Sequence, residues 1–299
     1  MKRRRVLILY FLFTIIIFPA ISIAQSYFTL FSSNYSYSSK NGLPQHNRYQ
    51  SEAANLNLPV KLKQENKILI GLAYQRVSLR FSDSTTQEHF FSSGINLGFV
   101  KKTKSGSVLL MAVLRGNSDY KSFGSADMQY GGVVLVSRKK NDNFTFKYGL
   151  YANTEQFGPF IVPLLGLDWK LNEKFRIFGI LPQNMVIENK VTTRFRWGLA
   201  YLSPTLSYHI NSPLNLYLHQ NQTRAGLFAD VYLTKSLAAQ FKFDYSLPAQ
   251  YRVYTNAQQY DVNVWGIGIG GYRSENNTPL QELNHKLIFQ LGINYRVEL

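Results

Sequence analysis

Strict alternation of apolar and polar residues, sustained over long segments, constrains this chain more than any other feature. Ala239, Phe241, Phe243, Tyr245 and Leu247 alternate with Gln240, Lys242, Asp244 and Ser246. The same rhythm runs through 54–61, 91–99, 144–150, 165–171, 194–201 and 287–299. Successive side chains of a β-strand point to opposite faces, so each segment owns one apolar and one polar face. Many of these segments reach ten residues or more. That is the length of a tilted transmembrane strand, whereas soluble strands average about five or six residues. Gly, Asn, Arg, Asp and Lys share the polar face, which suits a wet lumen. Phe81, Phe90, Phe91, Tyr201, Tyr245 and Tyr295 fall near segment ends, where the aromatic girdles of a membrane barrel lie.

The connections carry a second, independent pattern. Tight polar turns near 64–66, 103–105, 141–143, 172–173 and 234–236 alternate with longer polar connections near 39–49, 82–88, 117–126, 202–221 and 273–284. Short turns at one end and long loops at the other are the asymmetry of outer-membrane barrels. Strands are expected at 26–38, 50–62, 67–81, 88–101, 106–117, 127–139, 143–153, 163–171, 174–181, 184–190, 193–202, 222–233, 236–247 and 285–298, fourteen in all. Sixteen follow if 251–255 and 262–269 join the wall, and twelve if 174–190 folds as a plug or hairpin. An even number places both termini on the short-turn, periplasmic side. The segments 67–76 and 107–114 are apolar on both faces and leave their facing open.

The first residues read as an export signal. Lys2, Arg3, Arg4 and Arg5 precede an apolar run from Val6 to Phe18, and Ser22-Ile23-Ala24 offers a small-residue cleavage site before Gln25. The expected organisation is a signal peptide over 1–24 and one all-β domain, a single antiparallel transmembrane up-and-down β-barrel, over 25–299. The chain has 33 Lys+Arg and 17 Asp+Glu; without the four basic residues of the signal, 29 against 17 leaves a charge near +12. The basic residues are scattered, and an exported protein does not meet nucleic acid, so an anionic solute or surface is the better partner. Absence of cysteine excludes disulfides, thiolate metal sites, cysteine nucleophiles and a lipid-modified N-terminal cysteine.

The stretch Pro163-Leu164-Leu165-Gly166-Leu167-Asp168-Trp169-Lys170-Leu171-Asn172-Glu173-Lys174-Phe175-Arg176-Ile177-Phe178-Gly179-Ile180-Leu181-Pro182 resembles a block of an uncharacterised family of Gram-negative outer-membrane β-barrel proteins, a domain of unknown function. In that block a proline leads into a Gly-Leu-Asp-aromatic strand, a tight turn and a strand closing at Leu-Pro. Residues 184–201 and 222–247 look like the paired strands that follow. The resemblance implies fold and location, not activity. Such barrels commonly end in an aromatic residue, whereas this chain ends in Leu299.

With the apolar faces turned to lipid, Lys147, Asp168, Lys170, Glu188, Arg194, Arg196, Asp230, Lys242, Asp244 and Arg296 would line the lumen. A ladder of mutually paired charges is the plainer reading, because buried charges need partners. A basic-lined pore or cavity for anionic solutes is the functional one. No histidines stand at metal-ligand spacing, no Gly-x-Ser-x-Gly elbow is present, and Gly266, Gly268, Gly270 and Gly271 lack a following helix and phosphate-binding lysine. No catalytic residue, metal or cofactor is assigned. The expected roles are a narrow pore, a solute- or lipid-binding barrel or a scaffold; the rival is a lipid- or lipopolysaccharide-modifying barrel enzyme using a serine such as Ser92 or Ser93 near His89, or one near His219. Expected partners are outer-membrane lipid and lipopolysaccharide, with the barrel-assembly machinery and periplasmic chaperones during biogenesis.

Overall fold

The computed structural model describes residues 27–38, 48–81, 87–247, 251–271, 279–283 and 287–298. The segment read as a signal peptide, most of the loops at 39–49, 82–88 and 273–284, and Leu299 lie outside these residues. In chain order the strands are β1 (Tyr27–Ser38), β2 (Arg48–Lys61), β3 (Lys67–Arg80), β4 (Glu88–Thr103), β5 (Gly106–Ser118), β6 (Met128–Asn141) and β7 (Phe144–Glu155). Next come β8 (Gly158–Lys170), β9 (Phe175–Leu181), β10 (Asn184–Lys190), β11 (Phe195–Leu202), β12 (Thr205–Ile210) and β13 (Leu216–Asn221). The chain continues through β14 (Arg224–Tyr232), β15 (Leu237–Ser246), β16 (Tyr251–Thr255), β17 (Val262–Val264), β18 (Ile267–Ile269), β19 (Gln281–Leu283) and β20 (Leu287–Glu298).

Fourteen strands, β1 to β11 with β14, β15 and β20, pair antiparallel in succession, and β20 returns to β1 to close the barrel. They coincide with the fourteen segments that the alternation marks. The outer face carries the apolar set: Leu97, Leu110, Leu165, Leu199, Leu227 and Leu291 are each at least half exposed. Three short turns share one device. Asn172, Thr192 and Thr234 each accept two backbone N–H groups from the residues two and three ahead, closing four-residue connections at 171–174, 191–194 and 233–236. Polar side chains that mimic a backbone turn explain why these positions interrupt the strands.

The remaining six strands are not wall. β12, β13, β16 and β19 form an antiparallel sheet contributed by the two longest excursions. It lies inside the mouth at the long-loop end: Tyr208, Leu218, Tyr251 and Leu283 are wholly buried against Tyr49, Val77, Leu79 and Phe90 of the wall. Here two expectations change. Phe81 and Phe90 belong to this buried cluster rather than to an aromatic girdle, and 251–255 enters the inserted sheet without adding wall strands. The lumen is also less wet than the alternation suggested. Leu109 and Val133 point inward and pack with Leu135, Tyr151 and Tyr217, which explains a segment such as 107–114 with apolar residues on both faces.

The wall is low on one side. β9 and β10 have seven residues each, against 13 in β8. β9 pairs with β8 only from Leu165 down, so the upper half of β8 would show an edge. The carbonyl of Ile161 accepts from the Trp265 N–H (2.9 Å) on that side. Alternate residues of a strand aim their backbone groups the same way, so Pro159 and Pro163 fall where an N–H would face no wall strand. Proline at such positions is a way of blunting an edge. β17 lies parallel to β8 there, and a turn with positive φ at Trp265 (50°) and Gly266 (84°) folds β18 back against it.

Leu202 and Arg224 are register partners of β11 and β14, so the 203–223 excursion joins strands that already pair. Replacing 204–222 by a short turn should therefore leave the barrel assembled. Retention of heat-dependent mobility on a detergent gel checks this; its loss would mean the inserted sheet is needed to build the wall.

Candidate functional site: the filled lumen

Below the inserted sheet the lumen holds a network of charges at the short-turn half. Arg176 grips Asp168 with two parallel hydrogen bonds, Nε to Oδ1 at 2.8 Å and a terminal nitrogen to Oδ2 at 2.6 Å. Arg296 donates to Asp230 Oδ2 at 2.6 Å and to the Tyr232 hydroxyl at 3.0 Å, and Gln240 supplies the second Asp230 oxygen at 2.7 Å. Arg196 pairs with Glu188 at 3.2 Å; higher up, at the end of β14 where the 203–223 excursion leaves the wall, Arg224 approaches Asp244 at 3.5 Å. Tyr27 crosses to this group from β1: its hydroxyl donates to Glu188 at 3.0 Å, and Arg296 sits 4.5 Å above its ring. A register shift between Thr29 and Phe31 makes this possible. The extra residue of a bulge reverses which face the following side chains occupy. Without it Tyr27 would share the outward face of Phe31 and Tyr35.

Of the ten residues expected to line the lumen, Lys147, Asp168, Glu188, Arg196, Asp230, Lys242, Asp244 and Arg296 lie on the inner face. Lys170 sits exposed at the short-turn rim, and Arg194 belongs to the exposed turn 191–194, because strand β11 begins only at Phe195. Arg176 and Arg224 complete the set and have the same inward parity, so the alternation marks them too. Tyr27 is hidden by the bulge. These ten comprise six cations (Lys147, Arg176, Arg196, Arg224, Lys242, Arg296) and four anions (Asp168, Glu188, Asp230, Asp244); Lys67 of β3 and the Arg115–Glu155 pair also face inward. All four arginines have a carboxylate partner; Lys147 and Lys242 make no ion pair among the described residues.

A second polar centre pins the inserted sheet. Glu155, at the top of β7, accepts four hydrogen bonds: from Arg115 (3.0 Å) and Asn153 (2.8 Å) on one oxygen, and from the Ser207 hydroxyl (2.6 Å) and N–H (2.9 Å) on the other. Gln129 donates to the Ser207 carbonyl at 3.0 Å, as does Asn117 at 3.1 Å. Two residues on, His209 bonds Asp127 at 2.8 Å. Asp119 at the loop base accepts from Asn211 at 2.6 Å. Burial would raise its carboxyl, but the bonds from Asn211 and Lys121 outweigh that and hold it below the usual range. Its depressed value favours the docked loop above the ordinary carboxylate range and is lost as pH falls through the lowered one.

His46 and His285 lie outside the described residues, and among those described no group of three His, Asp or Glu side chains could hold a metal ion. Neither Ser92 nor Ser93 bonds His89; Ser78 does, its hydroxyl 2.8 Å from Nδ1. Arg76 donates to the same nitrogen at 3.3 Å. His219 packs 4.6 Å from the Phe157 ring.

Removing one partner of a buried ion pair strands the other charge, at about 3–5 kcal/mol. Asp230→Asn should lower unfolding stability by that order in urea titration of vesicle-inserted protein, and adding Arg296→Met should recover a large part. Glu155→Gln should free the inserted sheet without breaking the wall. The expected sign is several-fold faster protease cleavage within 203–223, with heat-dependent mobility unchanged.

No curated protein matches the chain. Solved structures overlap it loosely. The NanC porin aligns at a TM-score of 0.37 with 9% identity, covering 89% of this chain and 100% of its own. The translocator domain of the autotransporter NalP from Neisseria meningitidis gives 0.34 and 12%, covering 89% and 86%. A mutant of the Rh. blastica porin gives 0.31 and 7%, covering 89% and 99%. Overlaps this loose transfer no activity. One family model spans residues 18–296, and the chain belongs to that family, described as a domain of unknown function (DUF6268).

Proposed function

We propose that this chain is a bacterial outer-membrane barrel that is closed at rest, with its short turns in the periplasm and its long loops outside. It passes or binds small anionic solutes when its own inserted sheet yields. The observation that carries this reading is the sheet β12-β13-β16-β19, drawn from two excursions of the wall and buried in the mouth. An open general-diffusion pore would leave that mouth clear. The belt of exposed leucines supports lipid on the outside, since a water-facing surface with so long an apolar band would aggregate. Lys147 and Lys242, unpaired among inward-facing charges, supply the anion preference.

Planar-bilayer recording tests the proposal. Wild type should show no steady conductance, and the variant with 204–222 replaced by a short turn should open a steady, anion-selective one. Steady conductance through the wild type, or none through the variant, would reject it. We also propose that the barrel acts without catalysis. A lipid hydrolase would centre on Ser78 and His89; among the described residues no carboxylate or amide bonds the other ring nitrogen, the orienting role that such pairs require.

A further inference from the structure

The outer faces of β2, β3 and β4 change character at one height. Read upward from the short-turn end, β3 presents Ile68, Ile70, Leu72 and Tyr74, then Arg76, Ser78 and Arg80. The four apolar positions enclose three intervals of about 6.7 Å, about 20 Å along the strand and about 15 Å along the axis of a barrel whose strands tilt by about 40°, a large part of the roughly 25 Å lipid belt. The neighbours switch in step. Glu52, Arg76 and Phe91 form one register row, and Gln50, Ser78 and His89 form the next. Phe91 stacks on Tyr120 at 5.4 Å, and Tyr120 meets Phe123 edge-on at 5.5 Å, an aromatic group at the same height.

Both arginines are underused. Arg76 lies 5.8 Å over the Phe91 ring and reaches His89, yet makes no ion pair with Glu52 directly opposite. Its Nε and that of Arg80 are buried without a hydrogen-bond partner, and among the described residues no carboxylate pairs with either guanidinium. Burying a guanidinium nitrogen without an acceptor is costly unless a ligand supplies one.

We infer that this rim binds a phosphorylated glycolipid of the outer leaflet, with Arg76 and Arg80 each taking an anionic group, His89 and Gln50 facing the sugar between them, and the buried Ser78 holding the His89 ring. The inference rests on the outer-membrane reading above. A glycolipid is favoured over a phospholipid by the spacing. Four residues along one strand separate the two guanidinium stems by about 13 Å, which calls for two anionic groups on one polar, hydroxyl-rich core. A phospholipid brings a single phosphodiester. Arginine suits the task because its planar fork bonds phosphate in bidentate fashion.

The probe is diphosphoryl lipid A, titrated against the full chain in detergent, with phosphatidylglycerol as the competing lipid. Each guanidinium lost should weaken lipid A binding about tenfold, so Arg76→Gln with Arg80→Gln should weaken it about a hundredfold. Lys139→Gln at the opposite rim should leave it unchanged. Heat-dependent mobility shows that each variant still folds. Wild-type binding retained by the double variant would overturn the site, and so would equal affinity for phosphatidylglycerol. A chain found soluble in the periplasm would instead sink the outer-membrane reading itself.

Discussion

The ladder between β1 and β20 is the contact on which the rest of the molecule depends. It runs from Tyr27↔Glu298 to Ser38↔Ile288 and joins the first and last strands, so that the wall has no open edge at the short-turn half. In hydrocarbon every unpaired backbone group costs several kcal/mol, and this ladder satisfies the groups that β1 and β20 turn to each other without help from water. The same ladder carries the bulge that turns Tyr27 inward. The contact that closes the wall therefore also supplies a cross-lumen brace, linking β1 to the arginines and glutamate of β10, β11 and β20.

Closure is incomplete where β9 and β10 stop short. There the chain blunts the edge twice, with prolines on the side of β8 that would otherwise offer N–H groups and with a loop hairpin laid alongside. The low wall and the inserted sheet are parts of one arrangement. Beyond Leu202 the strand β11 does not rise further; the chain turns inward, and its residues meet Asn117, Gln129 and Glu155 across the mouth. What the wall loses in height is spent on filling the interior.

That interior is divided by chemistry. The upper part is apolar and aromatic, with Glu155 bonded on both oxygens at the junction and Asp127 paired to His209 beside it. The lower part is ionic, with each arginine matched to an acid and two lysines left over. Both parts put side chains into the space that fourteen strands enclose. In the proposed function, access to the lysines depends on moving the inserted sheet, whose hydrogen bonds to the wall run through Ser207 and His209 on one strand.

Much of the wall was legible in the sequence because a barrel strand needs only local information. Alternation fixes which residues share a face, and Asn172, Thr192 and Thr234 fix where the strands turn. Both follow from backbone geometry that neighbours in sequence dictate, so all fourteen wall segments and the inward parity of Asp168, Glu188, Arg196, Asp230 and Arg296 could be read directly. The pairing of those charges could not, since Arg296 and Asp230 meet through strand register and Tyr27 through a bulge that no residue type announces. Phe81 and Phe90 show the same limit: apolar side chains near a strand end suit a lipid girdle or a buried cluster equally well. Only the tertiary structure decided between them, because what lies inside a barrel depends on which loop folds back into it. By itself the sequence determined a barrel wall; long-range packing alone decided that this barrel is filled.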